Sequence, residues 1–305
     1  MHALRVHGQQ QRQFRYEQAP DPSPGIGDVL VEVAAASFTP TELDWPSTWV
    51  DRAGRDRSPV IPGHEVSGTV RSLGYGTTGL AVGDAVYGLT DWYRDGATAG
   101  YMTVEARDLA AKPVSATHPQ AASLPLAGLT AWQALFVHGG LEPGQTVVIT
   151  GASGGVGTLA VQLARHAGAR VVAVARGWAR DRLDDLGASE FVDAAGPEAS
   201  GVKDADLLVD LVGGQLAARC AAMIHAGGTV VSAVDSEPSA PAGTRSVFFV
   251  VEPDRPQLTE LARLVDSGQI HPVVAKLVPM ADGAAEAFGA KHAGGLLGKV
   301  VLQPS

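Results

Sequence analysis

Between Thr146 and Arg176 the chain reads TVVITGASGGVGTLAVQLARHAGARVVAVAR, and its chemistry there rests on residues with little or no side chain. Ala152, Gly154 and Gly157 occupy the three places of a dinucleotide-binding fingerprint, with Ala at the first and a further glycine at 151. Glycine lets the chain turn tightly and lets backbone N–H groups approach a pyrophosphate, while a helix N-terminus favours negative charge. The spacing alone is a weak signal. Its context strengthens it: β-formers precede the turn, and Val156, Leu159, Ala160, Leu163 and Ala164 line one helix face before Gly168. The competing reading is a glycine-rich turn that merely packs helix on strand. On the dinucleotide reading, the backbone of Ser153, Gly154, Gly155 and Val156 holds the pyrophosphate.

The end of the second strand, about 20 residues beyond the glycines, sets the preference between cofactors. An NAD site places Asp or Glu there to hold the ribose 2′-hydroxyl. This chain has Ala175-Arg176-Gly177-Trp178-Ala179-Arg180, with no carboxylate before Asp181 and two guanidinium groups available for a 2′-phosphate. NADPH is therefore the expected cofactor, with Ala175, Arg176 and Arg180 at its adenosine end. Alternatively, either arginine is a solvated helix-end charge.

Positioning such a turn takes a parallel sheet. TVVIT (146–150), ARVVAVA (169–175), EFVD (190–193), DLLVDL (206–211), TVVSAV (229–234) and SVFFVVE (246–252) are short apolar runs suited to buried parallel strands, with helical stretches between most of them. The alternation predicts a doubly wound α/β sheet. LPLAGLTAWQALFVHG (124–139) reads as a helix, and the first hundred residues carry Val-rich segments broken by Pro and Gly, as in a small irregular β-domain. The closing stretch has an Ala-rich helix and a strand-like GKVVL that could complete that β-domain. The expected division is residues 1–117 and 272–305 for the β-domain and 118–271 for the dinucleotide domain.

Composition narrows the classes further. A formal charge of −9 argues against sequence-independent binding of nucleic acid. No stretch reaches the roughly 18 apolar residues of a membrane span, and the N-terminus has no apolar core of a signal peptide, so a soluble cytoplasmic protein is expected. The single cysteine, Cys220, excludes an intrachain disulfide and every zinc site needing two thiolates.

The order and spacing of IPGHEVSGTV (61–70), VGDAVYG (82–88), LPLAGLTAWQAL (124–135), GASGGVGTLAVQLARHAGA (151–169), DLLVDLVGG (206–214) and GKVVL (298–302) resemble the medium-chain dehydrogenase/reductase superfamily over essentially the whole length. The resemblance is to its zinc-independent, quinone-oxidoreductase-like branch. It implies an α/β protein: a GroES-like β-domain built from both chain ends, a Rossmann domain with a doubly wound parallel sheet inserted between, and a cleft holding the nicotinamide. Homodimers are common in that branch. By the same analogy Thr130, Leu211, Val212, Ala233, Phe249 and Val250 flank the cofactor. The other reading of Phe249 is buried strand core.

His64 stands where zinc alcohol dehydrogenases place a metal ligand, but Phe38-Thr39-Pro40-Thr41 and Leu126-Ala127-Gly128 hold no thiolate where they place others. One nitrogen does not hold zinc, so no metal residue is assigned. His64 then either supports the β-domain near the cleft or touches substrate. Without a Lewis acid, electron-poor acceptors are the accessible substrates. Phe38, Trp45, Trp49, Trp92 and Tyr93 are candidates for an apolar wall, and Thr39, Tyr93 and His64 for catalytic polar groups. Relatives often read Asn-Pro-Val-Asp where this chain begins Thr39-Pro40-Thr41-Glu42, so a hydroxyl replaces an amide. They also often place Tyr after the Asp of the third strand, where this chain has Asp193-Ala194, which leaves the 2′-phosphate more dependent on Arg176 and Arg180. The leading expectation is NADPH-dependent hydride transfer to a quinone or α,β-unsaturated carbonyl, a small electron-poor molecule, without zinc. The alternatives are a redox-silent NADPH-binding sensor or structural protein, and a zinc-dependent alcohol dehydrogenase.

Overall fold

The computed structural model describes residues 1–39, 41–196, 202–289 and 295–304. Pro40, within the Thr39–Thr41 stretch, and the 290–294 part of the closing segment lie outside the described residues. The strands are β1 (His2–His7), β2 (Gln13–Gln18), β3 (Asp28–Ser37), β4 (Glu65–Leu73), β5 (Ala85–Leu89), β6 (Tyr101–Glu105), β7 (Leu109–Ala111), β8 (Thr146–Thr150), β9 (Arg170–Ala175), β10 (Glu190–Asp193), β11 (Ala205–Asp210), β12 (Ile224–Ser232), β13 (Arg245–Phe248), β14 (Val274–Pro279) and β15 (Lys299–Gln303). The α-helices are α1 (Pro46–Trp49), α2 (His118–Ala122), α3 (Pro125–Trp132), α4 (Gly155–His166), α5 (Arg180–Leu186), α6 (Gly214–Ala221), α7 (Arg255–Asp266) and α8 (Met280–Gly289).

Six of these strands form the parallel sheet, in the order β10-β9-β8-β11-β12-β13. That order reverses at β8, the arrangement that leaves a crevice at the carboxyl ends of β8 and β11. Val147, Val148 and Ile149 in β8 are fully buried, as are Val171 to Val174 in β9, because helices cover both faces of such a sheet. Helix α4 buries Thr158 to Ala164 and carries Arg165 and His166 in its last turn, where cations favour the helix dipole.

The β-domain is made by both chain ends. Its larger sheet runs β14-β15-β3-β4-β5-β7, with β6 also pairing β3 and β1-β2 forming a separate hairpin. The terminal GKVVL segment supplies β15, which pairs β3 antiparallel through Val301↔Ser37 and Leu302↔Ala36.

Two expectations need adjustment. Helix α2, assigned from sequence to the Rossmann domain, packs on β3, β4 and β15; Ala122 sits with Ala35 and Val301, and His118 Nδ1 lies 2.8 Å from Ser67 Oγ. Ala121, on the same short helix, joins the core that α3 shares with the parallel sheet, so α2 lies at the seam between the two domains. The run SVFFVVE is strand only to Phe248, since the sheet ends at β13 and Phe249 turns inward.

The domains are joined along α7. Tyr87 Oη donates to Leu258 O at 2.5 Å, and Asp266 accepts from Val114 N, Ser115 N and Ser115 Oγ. Among the described residues no helix is long and apolar enough to cross a membrane.

Candidate active site

The glycine turn follows β8 directly. Gly151 sits at φ +63, and its carbonyl accepts from Gly154 N at 2.9 Å, closing the loop before α4 begins. A Cβ on Gly157 would lie 2.3 Å from Gly151 O and 2.5 Å from Ala152 Cα, so only glycine lets the first turn of α4 sit on the loop. The N-terminal N–H groups of α4 are thereby presented at the crevice, with Ser153, Gly154, Gly155 and Val156 all partly exposed.

The start of β15 docks on this turn. Gly298 N donates to Ser153 O at 3.0 Å, and Gly154 and Gly298 form an isolated parallel bridge. The next side chain, Lys299, lies over Gly155: a Cβ there would be 2.4 Å from Lys299 Cδ. Its ammonium ion-pairs with Glu65 at the head of β4 and donates to Phe38 O at 3.1 Å. Glu65 Oε1 also accepts from Leu126 N at 3.1 Å, which holds the first turn of α3. Glu42 lies near this pair, fully buried, accepting from Thr39 N at 2.9 Å and Gly63 N at 2.5 Å. Burial pushes the Glu42 carboxyl up to about 7, against the backbone hydrogen bonds and Lys299 that favour its charge. The result is a buried junction of cradle, β-domain and α3 around one cation.

Sequence reasoning missed Lys299, Glu65 and Glu42 as site residues. The available signals were an acid inside the Val-rich run from Glu65 and the one cation in GKVVL.

The predicted polar groups separate in the structure. Thr39 Oγ1 and Thr130 Oγ1 are buried hydroxyls with no hydrogen-bond partner among the described residues. His64 is 2% exposed, with its ring 4.9 Å from that of Trp92 and its Nδ1 3.4 Å from Thr90 Oγ1. Burial, reinforced by the positive charge of Arg57, pushes its pKa down to about 3, so it is neutral at ordinary pH and has no proton to give from an imidazolium. That favours the supporting reading of His64 over a catalytic one. Tyr93 is an exposed loop residue whose ring lies under Arg52, at 5.0 Å, and no observed contact brings it to the Lys299 junction.

The expected aromatic wall is also only partly present. Phe38 stacks on Phe288 at 3.9 Å and Trp49 Nε1 donates to Leu43 O, so both belong to the β-domain core. Trp45 and Trp92 remain half-buried and meet edge to face at 5.1 Å.

At the carboxyl edge, Leu211 and Ala233 are partly buried, while Val212 and Val234 are about half exposed. A Cβ on Gly151 would lie 3.0 Å from Val212 Cγ2, so the loop after β11 touches the cradle. Val250 is exposed. Phe249 is 7% exposed, and its ring lies 4.6 Å from that of His138, so its side chain is committed to the Rossmann core and only its backbone can face a ligand. At the far end Ala175 is buried and Arg176 is exposed, with no carboxylate paired to it among the described residues. The Arg180 guanidinium lies over Phe191 at 4.4 Å.

Comparisons with known proteins agree with this geometry. Residues 25–114 match the family model of the alcohol dehydrogenase GroES-like domain, and residues 186–302 match that of the zinc-binding dehydrogenases. The chain is 32% identical to 2-methylene-furan-3-one reductase of Solanum lycopersicum, covering 90% of this chain and 71% of that protein. It is 31% identical to the chloroplastic NADPH-dependent alkenal/one oxidoreductase of Arabidopsis thaliana, over 90% of this chain and 72% of the other. The solved quinone oxidoreductase from Coxiella burnetii superposes with a TM-score of 0.88 at 25% identity, covering 99% of each chain.

Proposed function

The chain belongs to the medium-chain dehydrogenase/reductase superfamily, in its quinone-oxidoreductase-like branch, and we propose that it transfers hydride from NADPH to a quinone or an α,β-unsaturated carbonyl without zinc. The observation that carries this reading is the glycine turn that sets the N-terminus of α4 at the crevice. That turn presents the N-terminal N–H groups of α4 at the crevice, where a pyrophosphate would meet them, while the Lys299 stem, its ammonium held by Glu65 and Phe38 O, braces the turn against the β-domain. The two unpartnered hydroxyls support the same reading. A buried hydroxyl without a partner costs stability, and a ligand's polar groups would satisfy Thr130 Oγ1 and Thr39 Oγ1.

When bound, reduced nicotinamide supplies the hydride. The chain's own contribution is to bind, orient and exclude water. The N–H groups of the cradle would hold the pyrophosphate, Arg176 would meet the 2′-phosphate, and the loops after β11 and β12 would border the nicotinamide half. Thr39 Oγ1 orients the acceptor's oxygen, where water completes the reduction by delivering a proton. Such catalysis is mostly positioning in a dry cleft.

The donor set does not fit zinc. His64 is packed on Trp92, and among the described residues no three His, Cys, Asp or Glu side chains are grouped to hold a metal. The proposal extends to a homodimer, supported by β13 at the sheet edge with Phe248 and Val250 exposed beside it. Size-exclusion chromatography tests that part.

A steady-state screen with NADPH and NADH against quinones, enones and aldehydes, run with a chelator present, tests the whole. Turnover of quinones or enones with NADPH is expected. Protein that binds NADPH yet oxidises it with no member of the panel sinks the enzyme reading.

A further inference from the structure

Asp210 ends β11, and its carboxylate, 1% exposed, is a point where four donors converge. Oδ1 accepts from Thr150 Oγ1 at 2.8 Å, Val212 N at 3.1 Å and Gly213 N at 3.0 Å, and Oδ2 accepts from Ser232 Oγ at 2.9 Å. With both hydroxyl hydrogens committed to the carboxylate, the hydroxyl oxygens are left as acceptors. Thr150 Oγ1 accepts from Leu211 N at 2.8 Å, and Ser232 Oγ accepts from Val234 N at 3.2 Å and Asp235 N at 3.0 Å. One carboxylate therefore anchors, directly or through a single hydroxyl, the N–H groups of Leu211, Val212, Gly213, Val234 and Asp235. Among the described residues no Lys, Arg or His side chain pairs with it.

Those N–H groups belong to the loop after β11, beside the strand-order reversal and the cradle, and to the loop after β12, the next strand out. A Cβ on Gly213 would lie 3.5 Å from Val234 Cγ2, so the two loops also touch each other. We propose that Asp210 is a positioning residue for the nicotinamide half of the cofactor, holding loops 211–213 and 233–235 in place through Thr150 and Ser232. This rests on the NADPH reading above.

The polarity of the network explains why a carboxylate is needed. An amide at position 210 could keep one oxygen toward Thr150, Val212 and Gly213, but its NH2 group would then face Ser232 Oγ as a second donor. Ser232 would have to turn its hydrogen away and accept from three N–H groups with two lone pairs. The loop after β12 loses its anchor first.

The test uses wild-type protein, Asp210→Asn and Ser232→Ala, with 2′,5′-ADP as a probe of the adenosine half, bound-NADPH fluorescence as a probe of the nicotinamide half, and steady-state reduction of one quinone. Asp210→Asn is expected to bind 2′,5′-ADP within about twofold of wild type while its KM for NADPH rises on the order of tenfold and kcat falls, the usual scale for losing an outer support of a site. Its bound NADPH should lose the fluorescence change seen with wild type. Ser232→Ala should shift in the same direction by less, and carries the test if Asp210→Asn does not fold. Unchanged NADPH kinetics in both variants, or 2′,5′-ADP affinity falling as far as NADPH affinity, overturns the inference alone. Wild-type protein that binds no NADPH overturns it together with the cofactor reading.

Discussion

The side chain of Lys299 lies across Gly155 and ends in an ion pair with Glu65, so the first residue of the last strand links the cradle helix to the β-domain. Both partners are nearly closed to solvent, with side-chain exposures of 10% and 1%. A pair so placed contributes mainly by what happens when it is broken: an uncompensated buried charge costs about 3–5 kcal/mol.

Gly155→Ala puts a methyl within 2.4 Å of Lys299 Cδ and 2.6 Å of its Cγ, which forces the lysine stem off the helix. NADPH affinity, measured by fluorescence titration, should fall about tenfold, with a lower Tm from the disturbed ion pair. Gly154→Ala is the control for stability, because its Cβ would meet only Gly151 O, at 3.3 Å, so its Tm should change less. Equal effects of the two substitutions on Tm would show that the lysine stem is not what Gly155 accommodates.

The pH dependence of stability should show two opposed buried groups. Glu42, raised from 4.5 to about 7, holds its proton more tightly in the folded state, so its contribution is complete below about 4.5 and is lost as pH rises through about 7. His64, lowered from 6.5 to about 3, resists the proton that the unfolded chain accepts, so its contribution is complete above about 6.5 and is lost as pH falls toward 3. Between pH 4.5 and 6.5 the slopes partly cancel. Thermal melts of Glu42→Gln should show Tm rising with pH across that window, and melts of His64→Phe should show Tm falling toward pH 7. Parallel profiles for the two variants would contradict the assignment.

Arg176 and Arg180 should differ in their effect on cofactor choice. Arg176 is exposed with no carboxylate paired to it among the described residues, whereas the Arg180 guanidinium already lies on Phe191. Arg176→Ala should raise the KM for NADPH about 10- to 150-fold with little change for NADH, the value of one charge-assisted hydrogen bond. Arg180→Ala should change the ratio less. An equal loss for both cofactors in Arg176→Ala removes the arginine from the 2′-phosphate.

Thr130→Val separates folding from binding. The Thr130 hydroxyl is buried without a partner, so replacing it by a methyl of similar shape should leave the free protein as stable or up to about 1 kcal/mol more stable. NADPH affinity should fall, because the ligand loses a hydroxyl partner. Weaker folding with unchanged affinity would mark Thr130 as a structural residue instead.

What could be read from the sequence was what short stretches encode by themselves. The turn from Gly151 to Gly157 sits between a strand and a helix that each announce their own periodicity, and the strands of the parallel sheet follow the apolar runs, apart from the early start of β12 at Ile224 and the early end of β13. The N-terminal hairpin was missed although Ala3, Leu4 and Val6 are buried in it, because its polar residues and the Gln-rich turn mask the alternation. The family resemblance puts Phe38 and Trp49 in segments that flank the cleft, but a small β-domain has to bury its aromatics somewhere, and here it takes both.

By itself, then, the sequence determined the α/β architecture, the glycine turn between β8 and α4 and the absence of an acid from Ala175 to Arg180, because each depends on residues close together in the chain. Only the tertiary structure decided which charges lie at the site. Glu42, Glu65 and Lys299 come from three separate segments, and Asp210 gathers Thr150 and Ser232 from two neighbouring strands. Whether a carboxylate is a solvated surface group or the anchor of a buried network depends on the counter-charges and donors that folding brings to it, and spacing along the chain does not carry that information.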